Sequence, residues 1–286
     1  MVRKFRLIFL IACVANSLSS SGTCLAAFEL FSVGGDTTPA SIQSTVNLFR
    51  NTLGNSNNGN APGPLESGRR EIDWDDAGAT TATASGTPFN GFQNIRGALF
   101  KTGSGGTGFL QTPPNDPALL SINPTYGTTF NFFSPHRIFT PVGSNITDVT
   151  FSVPGTSGAI PATVSGFGAV FTNVNLPNTS RSEFFDQSNH LLLNESVAQG
   201  TVPKGSLSFL GAVATSGEKI SRVEIITGTT ALGPNDNPAA GVNVVTMDDF
   251  IYSEPRAVPE PSALIMGGTT ALVGLGYAWR RRRVAI

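Results

Sequence analysis

Beyond residue 27 the chain has no cysteine. Cys13 and Cys24, the two it contains, both lie in an N-terminal stretch that reads as a leader. For the remainder this excludes disulfides, thiolate nucleophiles and cysteine-bound zinc or iron–sulfur centres. Histidine is nearly as scarce. His136 and His190 stand far apart, with no His-x-x-x-His pair, so zinc hydrolysis has no ligand set to build on. Tryptophan is confined to Trp74 and Trp279, and only 13% of residues are charged. Exposed faces must therefore be covered by Ser, Thr and Asn. Helix formers are outweighed by 32 Gly and 19 Pro, which favours strands and turns. Twenty Phe supply most of the material for a core.

The full-chain charge of −1 hides an asymmetry between the ends and the middle. Residues 28–259 hold eleven Lys and Arg against eighteen Asp and Glu, a net charge near −7. An acidic domain is a poor partner for nucleic acid, which requires clustered cations. It is compatible with calcium and with solubility outside the cell.

The N-terminus has the layout of a secretory signal peptide over residues 1–27. Arg3, Lys4 and Arg6 precede the apolar run Leu7–Val14, and small residues around Ala26 and Ala27 offer a cleavage site. Leu10-Ile11-Ala12-Cys13 also fits a lipoprotein pattern, in which Cys13 would be lipidated after a very short apolar run. At the other end stand Val258, Pro259, Glu260 and Pro261, then an uncharged stretch from Ala263 to Trp279, then Arg280, Arg281, Arg282 and Arg283. About 17 apolar residues is the lower limit for a membrane-spanning helix. The arginines would hold its far end in the cytoplasm. Pro-Glu-Pro is a stiff, extended, accessible strip. We therefore expect a linker over residues 253–262 and a membrane helix with its basic tail over 263–286.

This order of motif, span and arginine cluster resembles the PEP-CTERM sorting signal. The resemblance implies a secreted protein held for a time in the inner membrane, then cut near the motif by the membrane protease exosortase. It covers residues 258 to 283 and implies a route, leaving open what the rest of the chain does.

Between the two signals, residues 40–53 predict a helix, with Ile42, Val46, Phe49 and Leu53 on one face. Ser41 or Thr38 could cap it, and Gly54 would stop it. Residues 54–68 read as a loop. From Arg70 on, the pattern is strand and turn. Strands are predicted at 71–74, 97–101, 128–132, 149–153, 166–174, 182–186, 207–213, 221–227 and 244–252. The expected fold over residues 28–252 is all-β, an antiparallel, jelly-roll-like sandwich with one short N-terminal helix. The segment Gly166–Tyr252, with Gly-Phe-Gly-Ala-Val-Phe-Thr and Met-Asp-Asp-Phe-Ile-Tyr, is similar to the uncharacterised β-sandwich ectodomain of many PEP-CTERM proteins. It is more loosely similar to lectin-like jelly rolls.

No catalytic constellation emerges. Ser157, in Gly155-Thr156-Ser157-Gly158, superficially resembles a nucleophile turn, but His136 and Asp148 lie too close in sequence for the usual scaffolded triad. Gly103–Gly108 lacks the helix that a phosphate loop needs behind it. One carboxylate group remains: Asp73, Asp75 and Asp76 early, Asp248 and Asp249 late. If they converged they could hold a structural calcium. On a regular strand Asp248 and Asp249 would face opposite ways, so both could contribute only across a bulge. Trp74, between Asp73 and Asp75, is the candidate platform for a sugar ring, with Tyr126 and Tyr252 as the other polar aromatics. The sequence thus predicts a non-enzymatic matrix or cell-surface protein associated with exopolysaccharide. A calcium-assisted carbohydrate-binding module is the alternative, and a glycoside hydrolase with paired carboxylates the third reading.

Overall fold

The computed structural model describes residues 27–76 and 78–258, so all but the last residue of the expected signal peptide, and the expected membrane helix with its basic tail, lie outside the described residues. Fifteen strands follow one another among them. They are β1 (Phe28–Gly34), β2 (Arg69–Ile72), β3 (Thr83–Ser85), β4 (Ala98–Thr102), β5 (Gly108–Thr112), β6 (Ile138–Val142), β7 (Ile146–Phe151) and β8 (Ala162–Thr163). Then come β9 (Gly166–Thr172), β10 (Arg181–Phe185), β11 (Leu191–Ser196), β12 (Leu207–Ala214), β13 (Arg222–Ile226), β14 (Thr246–Ser253) and β15 (Arg256–Ala257). The expected helix is α1 (Ala40–Leu53). Two single-turn helices, α2 (Gln93–Arg96) and α3 (Pro117–Leu120), join it.

The architecture is the expected antiparallel, mostly β one. The wider sheet runs β1-β12-β9-β14-β6-β5-β3, with β2 also paired to β14. The narrower runs β11-β10-β13-β7-β4, and β15 pairs with β8 as a separate ribbon. Period-two alternation decides what fills the space between the sheets. Phe167, Ala169 and Phe171 of β9 meet Phe184, Val223, Ile225 and Val149 of the narrower sheet in one core.

The opposite face of the wider sheet is covered too. Helix α1 lays Ile42, Val46, Phe49 and Leu53 on Val170, Phe209, Val213 and Ile251. The strands beneath are buried on both faces, so β9, β12 and β14 read as nearly continuous apolar runs. Close approach of the helix needs a paired glycine gap. Gly168 and Gly211 stand in register, and a Cβ on either would come within 2.9 Å of the Phe49 ring. A third, smaller core under the loop after β5 contains Leu119, Tyr126, Phe130 and Ile138.

Several expectations are corrected. The strand predicted at 128–132 is absent: Asn123 caps a 3-10 turn over Pro124–Thr128, and the Tyr126 hydroxyl is fixed to the Gly233 carbonyl at 2.6 Å. Neither Thr38 nor Ser41 caps α1 through its side chain; Ser41 Oγ instead donates to the Thr38 carbonyl. The fold also continues past residue 252, where a linker was expected. Ser253 completes β14, Glu254 is buried, and Arg256 and Ala257 pair with Thr163 and Ala162. Among the described residues no helix is long and apolar enough to cross a membrane.

Candidate functional site

The early and late carboxylates do approach each other, though only some of them. On β14, Met247 lies opposite Phe171 and Phe250 opposite Ala169, so Asp248 and Asp249 together face Val170. That two-against-one bulge turns both carboxylates to one hydroxyl. Ser134 Oγ lies 2.5 Å from Asp249 Oδ1 and 3.4 Å from Asp248 Oδ1. Asp248 also accepts the backbone N–H of Phe133, and Asp249 accepts from Arg50 at 3.1 Å. Arg50 in turn binds Glu71 at 2.6 Å. Asp75 is buried and accepts the backbone N–H groups of His136 and Arg137. Together these acids clamp the segment 133–137 by its backbone.

This corrects the calcium reading. Asp73 and Asp76 are exposed and stay outside the cluster. The buried carboxylates spend their oxygens on N–H, hydroxyl and guanidinium donors, and among the described residues no group of three acids or histidines could hold a metal. Excess chelator should accordingly leave the melting temperature unchanged, since a ligand stabilises only a state it binds. A fall reversed by added calcium would show a site that this geometry does not contain.

The clamp has an electrostatic signature. Burial, reinforced by neighbouring Asp249, raises the Asp248 carboxyl well above the ordinary range. Burial pushes Asp249 up to about 6, against the pull of Ser134 and Arg50, while Glu71 adds to the rise. Burial also raises Asp75. A raised folded pKa means that the folded state holds the proton more tightly. Its stabilising contribution is full below the unfolded value near 3.9 and is lost as pH rises through the folded value. Thermal stability should therefore increase as pH falls from 7 towards 5, and Asp249→Asn should flatten that slope. A melting curve that shifts downward over the same interval would contradict this assignment.

Trp74 is not a ligand platform. It sits in the left-handed region at φ 65°, at the turn after β2, and drops into the core with no exposed surface. Its ring stacks on Phe139 at 3.7 Å and 4°, with Phe92, Phe100 and Phe250 edge-on around it. Its indole N–H donates to the Asp248 carbonyl at 2.9 Å. Tyr126 and Tyr252 are equally buried. The stacking surface expected of a carbohydrate-binding module is thus corrected to a structural aromatic centre. Nor do Ser157, His136 and Asp148 assemble. Ser157 Oγ donates to Asn94 at 3.0 Å, Asp148 is held by Arg222, and His136 lies beside Asp75.

The most heavily engineered part of the domain is one that the sequence does not advertise: the root of the tail. Arg70 and Glu254 form a bidentate pair, both contacts 2.8 Å, with relative side-chain exposures of 0% and 2%. Arg70 also donates to the carbonyls of Gly59 and Ile95, and Glu254 accepts from Asn58 and Leu65. This network bolts the loop 54–68 to the end of β14. Two residues on, β15 lies against β8, and the Val258 N–H donates to the Pro161 carbonyl at 3.3 Å. Grooves flank this exit. One, of about 470 Å³, is lined by Leu53, Gly68, Val164, Lys219 and Arg256. The other, of about 770 Å³, is lined by Ile160, Pro161, Asn189, Arg222 and Val258.

No curated protein and no solved structure matches the chain. One family model does, that of the PEP-CTERM protein-sorting motif, over residues 257–283. Val258, Pro259, Glu260 and Pro261 and the cluster Arg280–Arg283 all fall inside that match. The chain thus carries a PEP-CTERM protein-sorting motif, the signature of an exosortase-sorted extracellular protein, and the motif begins on the last strand of the fold.

Proposed function

We propose that the protein is a non-enzymatic component of the cell surface or extracellular matrix, delivered by its sorting motif and associated with exopolysaccharide once released. The observation that carries this reading is the continuity of fold and motif: β15 leads straight into the matched segment, so the domain is cargo mounted on a sorting device. Four further features support it. The buried carboxylates brace backbone, and Trp74 is spent on packing. The Ser-, Thr- and Asn-rich exterior and the acidic balance suit a hydrated polymer environment.

The test is fractionation of a producing culture. The processed domain should be recovered with the exopolysaccharide fraction and should leave purified exopolysaccharide undegraded on prolonged incubation. Recovery free in the medium, with none retained by polymer, would remove the matrix role. Release of oligosaccharides would revive the hydrolase.

A further inference from the structure

The strand register places both ends of the described chain at one pole of the sandwich. Phe28 pairs with Ala214, the Ala214 N–H donates to the Ser165 carbonyl, and the Ser165 N–H donates to Ser253 Oγ. These four residues cross the wider sheet in a row. At about 4.8 Å between neighbouring strands, Phe28 and Ser253 lie roughly 15 Å apart, and the chain runs on along β8 from Ser253 to its exit at Val258. Ala27 is fixed there by Glu218 and Thr215, and Val258 by Pro161.

We propose that this pole sits directly on lipid headgroups for as long as the tail is attached. The inference rests on the sorting reading, because it needs the apolar stretch from Ala263 to be in the bilayer. Four residues, Pro259 to Ser262, then separate the last fixed residue from the hydrocarbon edge. At about 3.1 Å per residue, the rise of a proline-rich extended strip, the five Cα–Cα steps from Val258 to Ala263 would span about 16 Å. The headgroup layer itself takes up about 5–8 Å on each side of a bilayer. The remaining slack, about 8–10 Å, falls short of the diameter of a helix with its side chains, about 10–12 Å, so no protein layer fits beneath the pole. The chemistry of the surface agrees. Lys219 and Arg256 are exposed in one groove and form no ion pair among the described residues, Arg256 donating to the Glu66 carbonyl, and Ile160 in the other groove is 44% exposed. Glu218, which could oppose them, is occupied by the N–H groups of Ala27 and Ser216. Glu66, Asp186, the exposed Glu29 next to Phe28 and the Arg70-paired Glu254 are the other acids of this end. The grooves on either side of β15 would open onto the headgroups.

The absence of cysteine from the domain makes the test direct. The full chain, with Cys13 and Cys24 replaced by Ser, is reconstituted into vesicles of phosphatidylethanolamine and phosphatidylglycerol. Single fluorophores are attached through I160C or Q187C at the pole, or through T230C near the start of β14 at the far end. Lipids carrying a headgroup spin label should quench the first two at least threefold more than the third. Equal quenching in protein that floats with the vesicles would overturn the seating and leave the anchoring intact. Failure of the chain to float at all would overturn both.

Discussion

Arg70→Met is expected to cost the domain about 3–5 kcal/mol, the usual penalty for leaving one member of a buried ion pair alone. For a domain of this size that is a fall in melting temperature of about 6–20 °C. The substitution strands the Glu254 carboxylate, 2% exposed, with only Asn58 and the Leu65 N–H to solvate it. It also frees the carbonyls of Gly59 and Ile95. Glu254→Gln should be nearly as damaging, because it leaves a guanidinium buried without its counter-charge. The double variant separates the pair from its surroundings. If the charges act as a pair, Arg70→Met with Glu254→Gln should lose clearly less than the two single losses added. Strict additivity in denaturant melts would show that each residue acts through its own packing instead.

Changing Pro259, Glu260 and Pro261 together to Ala should abolish release altogether. The wild-type chain, in a host with active exosortase, should appear outside the cell as a form ending close to Val258–Pro261. The triple variant should stay in the membrane fraction with Arg280–Arg283 attached, since arginines do not cross a bilayer core at low cost. Mass spectrometry of the extracellular and membrane fractions reads both outcomes. Extracellular wild-type protein still bearing Arg280–Ile286 would overturn the sorting reading. The fold sharpens this expectation. Because the domain is fixed up to Val258, the strip open to a protease is short. The two-residue ribbon of β15 on β8 is the nearest element that could yield extra length.

Much of this architecture is legible in the residues, and the failures have definite causes. Helix α1 was expected over 40–53 and lies there, because its apolar spacing is regular and Gly54 ends it at φ 126°. Strands β9, β10, β12, β13 and β14 announce themselves through long runs of β-branched and aromatic residues. Strand β6 does not: Pro141 lies within it, opposite Phe109, and proline argues against a strand on sequence grounds. Strand β1 directly follows the leader and looks like its continuation. The carboxylate cluster was half visible. Asp248 and Asp249 can face the same way only across a bulge, and the bulge is there. Most of their donors in 133–137 carry no side-chain signature, since four of the contacts come from backbone N–H groups and only Ser134 adds a side chain. Glu254 looked like a linker residue, for nothing in its neighbourhood reveals a guanidinium arriving from residue 70.

The position of β14 has a kinetic consequence. It is the last long strand in chain order, yet it lies in the middle of the wider sheet, hydrogen-bonded to β9, β6 and β2. Until residues 246–253 arrive, the sheet is split into two halves and Trp74 has no Phe250 to close its cage. Pairings between residues so distant in the chain are slow to form. A polypeptide emerging N-terminus first would thus be able to join the two halves of this sheet only after nearly all of the domain had emerged.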